Sequence, residues 1–68
     1  MRDFTAIIEK CPDTNIYVGY IPGFTWAHSQ GKNLDELHNN LKEVVKMLLE
    51  KGEPQFDSQY IGIQRIAI

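Results

Sequence analysis

A chain of 68 residues has room for one small domain, and a domain of that size buries only roughly 60% of the surface it exposes when unfolded. Seven basic and nine acidic residues leave a formal net charge of −2, which argues against the basic stripe that phosphate-binding proteins carry. Cys11 is the single cysteine, so an intrachain disulfide is excluded, and a lone thiol suits a reducing compartment.

Other external supports are also missing from the sequence. Cys11, His28 and His38 do not fall at the close spacings of zinc ligands, so neither a metal nor a cofactor is expected. No apolar run approaches the roughly 20 residues that cross a bilayer. Met1-Arg2-Asp3 leads into alternating rather than continuous hydrophobicity, unlike a secretory signal. The expectation is a soluble cytoplasmic protein, a single domain over 1–68, that leans on a partner subunit for stability.

Phe4 to Lys10 alternates, with Phe4, Ala6 and Ile8 on one face and Thr5, Ile7 and Glu9 on the other, which predicts a strand. Cys11-Pro12-Asp13-Thr14-Asn15 concentrates turn formers. Ile16 to Ile21 reads as a second strand, joined to the first as an antiparallel hairpin. Pro22-Gly23 ends it, and Phe24 to Gln30 is expected as a third. Gly31 supplies a turn, after which Asn33 is a suitable N-cap with Glu36 three residues on. Leu34, Leu37, Leu41, Val44, Val45, Leu48 and Leu49 recur at spacings of three and four, the stripe of an amphipathic helix. Lys51 favours its negative end, Gly52 a left-handed cap, and Pro54 a stop.

After the linker 53–59, Tyr60 to Ile68 is expected as a fourth strand, apolar on both faces and changing phase at Gln64-Arg65, as at a bulge. The fold class is therefore α+β: a small four-stranded sheet with one covering helix, in the order β-β-β-α-β. A right-handed crossover would set the last strand parallel to the first. One helix covers one face, and Ile7, Ile21 and Tyr17 are expected on the other. That much apolar surface calls for a homodimer or higher homo-oligomer.

Catalytic chemistry finds little support. Asp3 and Glu9 are six residues apart, roughly 20 Å along a strand, too far to share a metal. Cys11 with His28 or His38 could form a thiol–imidazole pair, but no helix N-terminus is expected near Cys11 to activate it. Tyr17, Tyr20, Phe24 and Trp26 could stack unpaired bases, yet the residues from Cys11 to Gly31 include no Lys or Arg. An aromatic protein contact is the better use, with Trp26 as anchor. An enzyme is not expected.

Four runs resemble HicB-type antitoxins: Phe4-Thr-Ala-Ile-Ile-Glu-Lys10, Tyr17-Val-Gly-Tyr-Ile-Pro-Gly23, Ser29-Gln-Gly31, and the helix opening Leu34-Asp-Glu-Leu37. Phe24 stands where that family usually has a cysteine after Pro-Gly. The resemblance implies a degenerate ribonuclease-H-like fold without the nuclease's metal carboxylates. It also implies a function in a type II toxin–antitoxin system, binding and masking a small basic HicA-type ribonuclease toxin. Full-length members often append a DNA-binding domain for which 68 residues leave no room, so direct nucleic-acid contact is not expected. Glu9, Asp13 and Glu43 are the candidate acidic contacts beside Trp26. The alternatives are a stand-alone oligomeric HicB-like regulator or scaffold without a toxin, and a nucleic-acid-binding module.

Overall fold

In the computed structural model, residues 3–68 are described. Met1 and Arg2, the start of the segment read above for a secretory signal, lie outside them. Three short strands, β1 (Ile7–Lys10), β2 (Tyr17–Tyr20) and β3 (His28–Gly31), form an antiparallel sheet in the order β1-β2-β3. One helix, α1 (Leu34–Glu50), packs on it. The fold is α+β, and no described helix is long and apolar enough to cross a membrane.

The β1–β2 hairpin forms as the alternation requires, with Ile7 opposite Tyr20 and Lys10 opposite Tyr17. Asn15 closes its turn at φ 60, a left-handed value that asparagine tolerates better than most residues. Its N–H donates to the Cys11 carbonyl at 2.8 Å, and the Cys11 N–H to the Ile16 carbonyl at 2.9 Å.

The helix starts where its cap dictates. The Glu36 N–H donates to Asn33 Oδ1 at 2.8 Å, and Glu36 Oε1 accepts from the Lys32 N–H at 3.3 Å. The reciprocal half of the capping box thus lands one residue early. At the other end, Lys51 is itself the C-cap, and Gly52 follows at φ 137, where a side chain would be strained. Leu37, Leu41 and Val45 form the buried stripe, while Leu34, at the first helical position, is exposed.

Two glycines set how the helix sits. A Cβ on Gly31 would lie 2.5 Å from the Leu37 backbone nitrogen and 2.9 Å from its Cα. A Cβ on Gly19 would lie 2.9 Å from Leu41 Cδ1 and 3.0 Å from Ile8 Cδ1. The helix therefore presses onto β3 and β2, and α1 makes no close approach to β1. Asn40 fastens the same contact by donating from Nδ2 to the Gln30 carbonyl at 2.8 Å. Ile21, Phe24, Ala27 and Val45 form the core cluster, with Phe4, Leu48 and Leu49 packed against it.

Three expectations need correcting. The third strand starts at His28, not Phe24. Phe24 to Ala27 makes a turn instead, closed by the Ala27 N–H on the Phe24 carbonyl at 3.1 Å. Ile21 and Tyr17 do not belong to the face away from the helix. Tyr17 pairs with Gly31 and shares its side with Gly19, the side the helix covers, and Ile21 is buried in the core. The bare face instead holds Ile7, Glu9, Val18, Tyr20, His28 and Gln30, a mixture of apolar and polar groups.

Among the described residues, no fourth strand joins the sheet. Residues 57–68 form no ladder, and Ile61, Ile63, Ile66 and Ile68 are exposed. The segment is anchored only at its start, where Phe56 bridges Phe24 and the Asp57 N–H donates to the Gly23 carbonyl at 2.9 Å.

Gly31→Ala should cost about 3 kcal/mol in urea unfolding, because rigid helix backbone occupies the space. Gly19→Ala should cost about 1–2 kcal/mol, since its obstacles are side-chain ends that can rotate. Equal losses would show that the helix does not rest on Gly31.

Candidate functional site

The most unusual backbone lies in the loop between β2 and β3. Ile21-Pro22-Gly23-Phe24 is a turn with proline second and Gly23 third at φ 81, closed by the Phe24 N–H on the Ile21 carbonyl at 3.1 Å. Those residues suit a type II turn. The next turn, Phe24-Thr25-Trp26-Ala27, repeats the geometry with Trp26 third, at φ 73. That position normally takes glycine, and a bulky side chain there costs on the order of 1–2 kcal/mol. Trp26 recovers little of this by burial, being 74% exposed. A large aromatic is thus held out to solvent on a strained support, an arrangement that suits a contact residue.

Below the loop, a phenylalanine trio fixes its inner side. Phe24 meets Phe56 edge-on with centroids 5.3 Å apart and Phe4 at 5.8 Å, and Phe4 and Phe56 stack at 6.4 Å. Gly23 is doubly required, by its positive φ and because the Ser58 carbonyl occupies the place of a Cβ. Nothing in the alternation of the sequence pointed to Phe56 or Ser58.

The four candidate contacts do not converge. Glu9 lies on the bare face of the sheet beside Val18. Asp13 is in the β1–β2 turn, at the end of the sheet opposite Trp26. Glu43 lies half a helical turn away from Leu41 and Val45, facing outward from the other layer. Glu9 and Glu43 therefore sit on opposite sides of the molecule. Beside Glu9, the bare face dips into a shallow depression of about 410 Å³ lined by Val18, Tyr20, His28 and Gln30.

Cys11, in the hairpin turn, has its thiol held below the usual range, chiefly by the Thr14 hydroxyl, then by backbone hydrogen bonds at Thr14 and Asp13. The same hydroxyl accepts the Ile16 N–H at 3.3 Å. Turn donors thus do what no helix end was expected to do. The described residues hold no group of three or more His, Cys, Asp or Glu side chains able to take a metal ion.

The chain is 37% identical to a UPF0150 protein of Synechocystis sp. over 98% of its own length and 96% of the relative's. It belongs to the UPF0150 family. A UPF0150 protein of Thermotoga maritima is 36% identical over 96% of this chain and 88% of its own. Another from Archaeoglobus fulgidus is 35% identical over 96% and 93% respectively. No family model matches the chain, and no solved structure matches it significantly. Members of UPF0150 from two bacteria and an archaeon thus share nearly the whole length of this small chain, and their names specify no partner.

Trp26→Gly should be more stable than Trp26→Ala by about 1 kcal/mol, because glycine relieves the positive φ and alanine keeps it. Thermal unfolding of the two variants checks this, and equal stabilities would remove the strain. Alkylation of Cys11 should set in at lower pH in the folded chain than in urea, since the fold favours the thiolate.

Proposed function

We propose that this UPF0150 protein is an antitoxin-like binding module without enzymatic activity, which masks a small basic HicA-type ribonuclease. The observation that carries this reading is Trp26, exposed at 74% and strained at φ 73. A fold that keeps a costly aromatic in solvent gains from it only through a partner, and tryptophan is among the commonest interface anchors. The mild net negative charge of the chain complements a basic partner and would speed its capture.

Glu9 on the bare face and Asp13 at the hairpin turn are the acidic contacts we favour with Trp26. Glu43, on the far layer, would meet only a partner that wraps around the helix. The sequence resemblance to HicB-type antitoxins supports the choice of partner, and with it a ribonuclease-H-like architecture completed by a fourth strand. The lone thiol supports a reducing, cytoplasmic setting. The exposed isoleucines near the C-terminal end favour a second reading in one respect: homo-oligomer formation, which a stand-alone HicB-like regulator or scaffold would share.

The test is capture of a HicA-type ribonuclease encoded beside this chain's gene. A stoichiometric complex that stops RNA cleavage is expected. Trp26→Ala should weaken it by about 2 kcal/mol, roughly thirty-fold in Kd. Undiminished RNA cleavage in the mixture would refute the masking role.

A further inference from the structure

The uncovered edge of the sheet and the exposed C-terminal segment belong together. β1 pairs with β2 on one side, and its other side has no strand beside it among the described residues. The helix sits over β2 and β3, and a groove of about 550 Å³ remains between α1 and residues 3–6, the segment that leads into β1. Its apolar walls are Phe4, Ala6, Leu41, Val45 and Leu49. Ile8, on the same side of β1, is 43% exposed.

The free segment carries what that groove lacks. From Tyr60 to Ile68 it forms no helix, turn or ladder, and its four isoleucines are 74–120% exposed. Ile61 and Ile63 share one parity, Ile66 and Ile68 the other. A single bulge at Gln64-Arg65, two residues opposite one, restores the phase. All four isoleucines then point to one side, with Gly62, Gln64, Arg65 and Ala67 on the other. Such a strand matches an edge that offers hydrogen bonds along its length and an apolar trough beside it.

We propose that the segment Tyr60–Ile68 of one copy adds to the outer edge of β1 in a second copy and lays its isoleucines in that copy's groove. The exchange is reciprocal. Each chain has one free arm and one open groove, so two copies satisfy both at once through a two-fold interface. The arm is anchored on its own body at Phe56 to Ser58, and Tyr60 still lines a hollow with Phe4 and Thr5; beyond it the arm pairs with no strand of its own chain among the described residues. Burying an isoleucine removes on the order of 100 Å² of apolar surface. With the groove walls they cover, the eight isoleucines of two arms remove roughly 1,600 Å², the size of a specific protein–protein interface. The inference rests on the homo-oligomer part of the proposed function and is independent of toxin masking.

Sedimentation equilibrium of the full chain at about 10 µM, with circular dichroism as a folding control, tests it. The expected mass is twice the 7.8 kDa of one chain. Ile63→Asp with Ile66→Asp on the arm, and separately Ala6→Arg on the groove wall, should each give a folded monomer. In a mixture of isotope-labelled and unlabelled chains, contacts between arm isoleucines and Leu41 or Val45 should appear between chains. A dimer untouched by the arm variant would overturn the exchange and leave the homo-oligomer reading intact. A wild-type monomer, with its arm solvated or folded onto its own β1, would overturn both. Neither result would bear on capture of the ribonuclease.

Discussion

The contact on which the rest depends is the seating of α1 against the backbone at Gly31 and Gly19. Only the lack of a side chain at Gly31 lets the helix start lie where a Cβ would stand 2.5 Å from the Leu37 nitrogen. Close approach on that side tilts the balance of the whole two-layer fold. Leu37 is 1% exposed there, while Ile8, one strand over from Gly19, is 43% exposed. The helix, 17 residues long, approaches β3 most closely, then β2, and makes no close approach to β1. Covering β3 tightly therefore leaves β1 open.

That offset divides the surface into regions of different character. The groove leading to β1 is lined by apolar side chains together with Asp3, His38, Lys42 and Lys46, and the arm that could fill it carries four isoleucines. The far face of the sheet mixes Ile7, Val18 and Tyr20 with Glu9, His28 and Gln30, a composition compatible with water and with a partner that comes and goes. Trp26 stands beside the end of that face on a strained turn. A permanent contact through the groove and a reversible one through the loop and the bare face would not compete for the same residues.

Much of the fold was legible in the sequence because its signals were local. The hairpin, the Asn33 cap, the buried stripe at Leu37, Leu41 and Val45, and the stop after Lys51 all follow from nearby residues. What was hidden depends on distant ones. The face taken by the helix is decided by Gly19 and Gly31, which carry no hydrophobic signal, and so Tyr17 and Ile21 were assigned to the wrong side. The start of the third strand was misplaced because alternation cannot reveal a tryptophan at positive φ. Leu34 fits the stripe by spacing but precedes the packed turns. The Asn40 bond to Gln30 and the Phe56 contact with Phe24 join residues separated by a whole element. Of the candidate contacts, Trp26 gained a physical reason from its backbone, whereas Glu9 and Glu43 proved to face opposite ways. The final segment has strand character, yet a strand requires a neighbour that local sequence cannot supply.

Amide hydrogen exchange at β1 probes most directly whether this chain is incomplete by itself. Along Ile7–Lys10, alternate N–H groups point away from β2, into the space where another strand would lie. If a second polypeptide closes that edge, these amides exchange slowly at high protein concentration and faster on dilution. Rapid exchange of the outward amides at every concentration, with the β2-facing ones still protected, would contradict it.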